Sequence, residues 1–353
     1  MPLKWSWAFG PETSADLNTL GQWGTVSTGN SQPVTTPVRT YAGSVGTRYS
    51  MNVKDSHISM LQIPLNETSI TNQGWLSGYI FTSNINNFGN EGVLFINGHG
   101  TGKQIRADAD ASTRALNFYV NSVFKGTSSS LPHSTWHHVS IKFDMSTATW
   151  AGELWINGVQ EITATNSSTA ETGFTGLFGT THQANFPDAS FWSDITLYDD
   201  LADPCPVDQF VTRISTDLDY SDNGTTPWNP VSAPGPGGNQ SPNLQPPIAV
   251  GPVVTQPAPL SGDYVVIGTN PLIVKLGISP TNIYGVTSHS YAAGSGGISV
   301  FTALAEFASP AAFTSGPGSV IGTNTYVTVT APVTPSLAPW TGLNVVLLKT
   351  EVN

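Results

Sequence analysis

The chain has 353 residues, of which only 10% are charged, and a formal net charge of −11. Lys and Arg are scattered and form no basic run, which argues against a nucleic-acid partner, and an aromatic content of 10% is too high for a disordered chain. No stretch approaches the roughly 18 apolar residues of a membrane-spanning helix, and a single cysteine, Cys205, excludes an internal disulfide framework.

The first residues, MPLKWSWAFGPETS, carry one Lys and no apolar run long enough for a signal peptide. The expectation is a protein made and folded in a reducing cytoplasm. Residues 1–48 read as an irregular arm. Trp5 and Trp7 alternate with Ser6 in a strand-like run, and Phe9 follows. Exposed aromatics at a chain end need a partner to bury them, so Trp5, Trp7 and Phe9 are candidates for an anchor on a larger particle.

Residues 49–200 hold nine short β-prone runs: YSMNV, HISMLQI, WLSGYIF, GVLFING, ALNFYV, WHHVSIKFD, GELWING, GFTGLFG and FWSDITLY. Gly, Asn, Ser and Pro clusters separate them, the pattern of a β-sandwich or barrel. Only 206–216 looks briefly helical. Residues 227–259 contain ten of the 26 prolines. That density removes backbone donors and favours an extended chain, a semi-rigid spacer at roughly 3 Å per residue. Residues 260–353 are β-prone again, with VIGTN at 266–270 and 320–324 as ordinary turn chemistry between β-branched strands. The expected layout is an arm (1–48), a sandwich (49–226), a linker (227–259) and a second β domain (260–353).

Two stretches share a pattern, VLFINGHG at 93–100 and ELWINGVQ at 153–160. Asn-Gly between alternating strand residues is a strong hairpin signal, because a type I′ turn needs positive φ at both central positions. Asn157-Gly158 is expected to turn one strand into the next. Asn97-Gly98 is expected to end its strand, with HGTG making a looser turn. Period-2 alternation puts Val139, Ile141 and Phe143 on one face and His138, Ser140 and Lys142 on the other. It likewise separates Leu154 and Ile156 from Glu153 and Trp155. This is the pattern of an antiparallel sheet with one solvated face.

Trp136, Val139-Ser140-Ile141, Phe143-Asp144 and then Glu153-Leu154-Trp155-Ile156-Asn157-Gly158 resemble a strand pair of laminin G-like domains, in the concanavalin A-like lectin/glucanase superfamily. FWSDITLYDDLAD at 191–203 resembles the closing strand of that family, and QGWLSGYIF at 73–81 an earlier one. The likeness covers about 49–204. It implies an all-β fold: an antiparallel jelly-roll sandwich, joined by the Pro-rich linker to a second small β domain.

The glucanases of that superfamily carry a strand E-x-D-x-E, with an acid/base and a nucleophile on one face. No such triplet occurs in this sequence, so no catalytic residues and no enzymatic activity are expected. Cys205, between two prolines with no local His, reads as an inert thiol. His133, His137 and His138 lack a helix or a third strong ligand to make a zinc site. The resemblance implies Ca²⁺ as the one cofactor to consider, with Asp108, Asp110 and Asp194 as its carboxylates, although no EF-hand spacing is present. It also implies a glycan platform, for which Trp150, Trp155 and Asn157 are the candidates; the competing reading is that these rings cover the sandwich edge.

An adhesive module without an export signal suits one setting in particular. Bacteriophage virion proteins fold in the host cytoplasm and leave by lysis. The low charge, the Ser/Thr/Asn/Gly-rich composition and the layout resemble their surface proteins. The expectation is a non-enzymatic virion protein, a capsid decoration, fibre or tail component. Its partners would be other virion proteins, further copies of itself and a host surface glycan. The alternative is a free glycan-binding, lectin-like protein.

Overall fold

The computed structural model describes residues 3–7, 32–34, 39, 50–53, 59–62, 72–82, 91–98, 100–110, 112–180, 190–199, 201–202, 207, 209–211, 218–222, 229–230, 254–255, 261, 264–268, 271–272, 282–292, 300–309, 312–321, 325–341, 344 and 346–352. Every named element among them is a strand, and every pairing is antiparallel. The chain divides into two units. The first comprises Met1–Thr40 with Thr47–Thr212, and the second Tyr41–Gly46 with Arg213–Asn353.

The first unit contains β1 (Leu3–Trp7), β2 (Gln32–Val34), β3 (Ser50–Val53), β4 (Ser59–Gln62), β5 (Gln73–Thr82), β6 (Glu91–Gly98) and β7 (Gln104–Asp110). It continues with β8 (Ala115–Val120), β9 (Val123–Thr127), β10 (Trp136–Asp144), β11 (Thr149–Ile156), β12 (Val159–Ser167), β13 (Phe174–Thr180) and β14 (Ser190–Tyr198). One sheet runs β12-β11-β10-β5-β14-β3-β2, with β1 also paired to β14; the other runs β4-β13-β6-β7-β8-β9.

The core lies between these sheets. Leu76, Ile80, Val139, Ile141, Phe143, Leu154 and Trp192 of the first sheet meet Leu94, Ile96, Ile105, Leu116, Phe118 and Val120 of the second. The alternation read from the sequence is what places them, since each is the inward member of its strand. Gly152 marks how closely the sheets approach: a Cβ there would come within 2.9 Å of Phe118 Cζ.

The hairpins divide the two Asn-Gly pairs. Asn157 and Gly158 have φ of 51° and 79°, and Ile156 pairs with Val159, as the tight turn requires. Asn97-Gly98 does not turn. β6 continues through Gly98, and Asn97 pairs with Gln104. The reversal falls later, where Gly98 N–H donates to Lys103 O at 2.9 Å and the buried Glu171 carboxylate accepts from Gly100 N at 2.6 Å and Thr101 N at 3.1 Å. A tertiary carboxylate thus sets that loop. A further tight turn has Asn121 and Ser122 at φ 54° and 60°, joining Val120 to Val123.

The two sheets end on the same side, at β9 and β12, and side chains tie these edges together. Lys125 Nζ donates to Asn166 Oδ1 at 3.2 Å, Asn121 Nδ2 to Ser167 O at 2.5 Å, and Ser129 N and Oγ to Glu161 at 2.9 Å each.

The second unit contains β15 (Leu218–Asp222), β16 (Asn229–Pro230), β17 (Val254–Thr255), β18 (Tyr264–Gly268), β19 (Val286–Ala292), β20 (Val300–Ser309), β21 (Ala312–Ile321), β22 (Thr325–Ala331) and β23 (Leu347–Val352). Its main sheet is β15-β18-β23-β20-β21, and β19 pairs with β22. Leu272, Leu304, Val329, Ala331 and Trp340 form its core, with Trp340 Nε1 donating to Ala331 O at 3.0 Å. β16 and β17 pair with each other near the two ends of the proline-rich run; 231–253 lie outside the described residues.

The N-terminal aromatics are not exposed. β1 pairs along β14, Trp5 is 0% and Trp7 3% exposed, and both belong to the sandwich core. Their anchor role therefore loses its premise, because the hydrophobic surface that called for a partner is buried inside the chain itself. Phe9 lies outside the described residues. Trp5→Ala is expected to cost ~3–5 kcal/mol in urea unfolding, as for other buried Trp truncations; an unchanged unfolding midpoint would return Trp5 to the surface.

Candidate functional site

The residues expected to form a glycan platform are not gathered into one. Trp150 is fully buried, and its Nε1 donates to Thr169 O at 2.8 Å. Trp155 stands half-buried on the outer face of its sheet, edge-on to Trp75 at 5.5 Å, with its Nε1 bonded to Glu153 Oε2 at 2.8 Å. Asn157 is the turn residue, and its Oδ1 accepts from His138 N at 2.9 Å. Trp150 and Trp155 face opposite sides of β11, and each residue of the trio has a structural task.

The outer face carrying Trp155 is also not the solvated face expected. His138, Ser140, Ser77, Thr196 and Gln209 are all buried on it. The described residues of 207–211 cross it as a strap, and 209–211, within the stretch 206–216 expected to be briefly helical, are irregular. Val207 lies against Gly158, where an added Cβ would come within 2.5 Å of its Cγ2. Gln209 spans the middle strands: its Nε2 reaches Ser77 Oγ at 2.9 Å, Thr196 Oγ1 at 2.8 Å and His138 Nε2 at 3.3 Å, while Oε1 accepts from Tyr198 Oη at 2.6 Å. Val211 N donates to Asp194 Oδ1 at 2.8 Å. Arg39 completes the cover, stacked 3.3 Å over Tyr79 and donating to Asp194 Oδ2 at 3.0 Å and Gln209 O at 2.7 Å.

This disposes of Asp194 as a calcium ligand. It occupies a bulge of β14 at φ 52°, fully buried, with its charge met by Arg39. Asp108 and Asp110 lie on the other sheet. Among the described residues no group of three His, Cys, Asp or Glu is placed to hold a metal ion. The histidines part company too: His137 Nε2 contacts Pro132 O at 2.9 Å, whereas His138 lies under the strap.

The outer face of β7-β8-β9 has a different character. QIRADAD alternates strictly, so Arg106, Asp108 and Asp110 face out while Ile105, Ala107 and Ala109 are buried. The register sets them in two rows across the strands. Arg106 is opposite Tyr119, which is opposite Phe124; Asp108 is opposite Asn117, which is opposite Thr127. The first row is aromatic and cationic. The Arg106 guanidinium lies 4.3 Å over the Tyr119 ring, and Phe124 meets Tyr119 edge-on at 5.6 Å while remaining 53% exposed. The second row is a hydrogen-bonded chain: Thr127 Oγ1 donates to Asn117 Oδ1 at 2.6 Å, and Asn117 Nδ2 to Asp110 Oδ2 at 3.3 Å.

Asp108 joins the rows. Its Oδ2 accepts from Arg106 Nε at 2.9 Å, whereas its Oδ1 is enclosed without a hydrogen-bond partner. Burial lifts its pKa above the ordinary carboxylate value, with the Arg106 charge and hydrogen bond opposing. Asp110 moves the other way: the hydrogen bond from the Ser112 hydroxyl holds its pKa low, so it stays ionised. Aromatic rings beside fixed donors and acceptors on rigid strands make a surface for a ligand with both an apolar face and polar edges. The alternation of QIRADAD and ALNFYV is the signal that would have found this face. The Asn121-Ser122 turn, less distinctive than Asn-Gly, hides the third strand.

No family model matches the chain, and no curated protein matches its sequence. Solved structures are similar only at low identity. The carbohydrate-binding module CBM66 from Bacillus subtilis is 10% identical, covering 42% of this chain and 86% of that one, with a TM-score of 0.29. Alginate lyase Aly36B is 13% identical over 56% of this chain and 98% of that one, TM-score 0.38. The carbohydrate recognition domain of Emp46p in its metal-free form is 12% identical over 56% and 96%, TM-score 0.37. Likenesses this shallow assign neither ligand nor activity.

The strap yields a pH prediction. Burial, and then the Arg39 charge, depress the His138 pKa from 6.5 to about 3. The folded state therefore binds this proton less readily than the unfolded state. The contribution of neutral His138 is complete above roughly pH 6.5 and declines as pH falls toward 3, by ~2 kcal/mol at pH 5. Urea unfolding of the native chain and His138→Gln across pH 4–8 should show that slope only in the native chain; parallel curves would refute it.

Proposed function

We propose that this chain is a non-enzymatic adhesion protein that binds glycan through the outer face of β7-β8-β9. The observation that carries the reading is the pair of rows on that face, an exposed aromatic edge at Phe124 and Tyr119 beside the chain Thr127-Asn117-Asp110. Sugars offer an apolar ring face and hydroxyl edges, and stacking on an aromatic ring beside polar side chains answers both. The sequence holds no E-x-D-x-E strand for hydrolysis, which supports binding without cleavage.

The setting we propose is the surface of a bacteriophage virion, as a capsid decoration, fibre or tail component present in several copies. Its support is the low charge and the hydroxyl- and amide-rich composition, together with the resemblance to virion surface proteins. The rival is a free lectin-like protein. Mass spectrometry of purified particles separates the two: presence at stoichiometric copy number supports the virion setting, and absence supports the free protein.

On a glycan array the full-length chain is expected to bind at least one sugar class. Phe124→Ala should weaken that binding at least tenfold, while Trp155→Ala should leave it within about twofold, in keeping with ~1.5–3 kcal/mol for covering a Phe side chain. Release of reducing sugar from any bound glycan, or loss of binding in Trp155→Ala alone, would overturn the reading.

A further inference from the structure

The geometry points to a neutral, hydroxyl-rich sugar as the ligand of the β7-β8-β9 face, a pyranose ring stacked on Phe124 with a hydroxyl donated to Asp110 Oδ2. This rests on the glycan-binding reading above and narrows its substrate class.

The donors and acceptors left over on the face decide the class. The guanidinium of Arg106, the one cation in the two rows, is already committed: Nε donates to Asp108 Oδ2, Nη1 to Gln104 Oε1 at 2.9 Å, and its plane covers Tyr119. The unmet capacity is for accepting. Asp108 Oδ1 is enclosed, so this carboxylate adds negative charge to the face but no acceptor that a ligand can reach. Asp110 Oδ1 takes two bonds from Ser112, at 2.8 Å from the backbone and 2.6 Å from the hydroxyl, Oδ2 takes the 3.3 Å amide contact from Asn117, and the Thr113 side chain also bonds the carboxyl group. An ionised carboxylate has no proton to give, so a ligand must bring the donor to Asp110 Oδ2.

Hydroxyls supply such donors. The carboxylate of a uronic or sialic acid, or a sulfate, presents acceptors only, and would set like charge against Asp108 and Asp110. Lys103 and Arg114 lie outside β7 and β8, and Lys125, beside Phe124 on β9, is already bonded to Asn166 Oδ1 at 3.2 Å. The sugar ring is placed by Phe124, the exposed ring of the aromatic row, because Arg106 already occupies a face of Tyr119.

The test is calorimetric titration of the full-length chain with neutral oligosaccharides (cello-, manno- and galacto-oligomers) and with acidic ones (oligogalacturonate, sialyllactose), at low and at high salt. The expected result is binding of a neutral sugar with little salt dependence. Affinity should fall at least tenfold in Phe124→Ala and in Asp110→Asn, with both variants melting within a few degrees of the native chain. Preferential, salt-sensitive binding of the acidic sugars would overturn this inference and leave glycan binding standing. Neutral-sugar binding that both variants retain would overturn it as well, by moving the site elsewhere. Binding of no sugar from either set, nor from the glycan array, would instead remove the underlying reading.

Discussion

One buried carboxylate organises the larger sheet of the first unit. Asp194 sits in a left-handed bulge of β14, with no exposed surface. A charge withdrawn from water in this way must be met by an opposite charge and by hydrogen bonds, or the fold loses several kcal/mol. Arg39 meets it from one side, and Val211 N and Ser193 Oγ from the others. Arg39 and Val211 come from other parts of the sequence, so satisfying Asp194 also draws Arg39 and the strap onto the sheet. Gln209, two residues before Val211, is thereby placed over His138, Ser77 and Thr196. The bulge that orients Asp194 also keeps Trp192 and Ile195 in the core and Thr196 outside it, so core and cover are fixed at the same irregularity.

That cover explains why the two outer faces differ. The face under the strap is aromatic and polar, yet Gln209, Ser77, Thr196 and Tyr198 bond to one another beneath the cover. The outer face of β7-β8-β9 differs in presenting an exposed ring, Phe124, beside a guanidinium fixed by an ion pair. The site we propose for recognition lies there, on the smaller sheet.

Much of the fold was legible in the sequence. The alternation of WHHVSIKFD and GELWING assigned the core residues of β10 and β11, and Asn157-Gly158 turned where its φ values require. Alternation says which residues share a face, but not whether that face meets water. His138 and Ser140 look like solvent-facing residues; they are buried because a segment some 70 residues later lies over them. The same limit applies to Trp150 and Trp155, whose neighbours come from other strands, and to Asn97-Gly98, where Glu171 displaces the reversal into the following residues. The face of the proposed site was hidden differently. β7 reads as a strand by strict alternation, but its acidic residues drew attention as isolated carboxylates and not as one side of a ladder shared with Asn117 and Tyr119.

The ties between β9 and β12 bear on behaviour at high concentration. An edge strand normally offers a row of free backbone groups on which another chain can add, the first step toward aggregation. Here Asn121 occupies the Ser167 carbonyl, and Glu161 and Lys125 set charges along the same border. A newcomer would have to break those bonds and bury those charges before it gained its own. The sandwich is in this way guarded against unplanned strand addition on that flank.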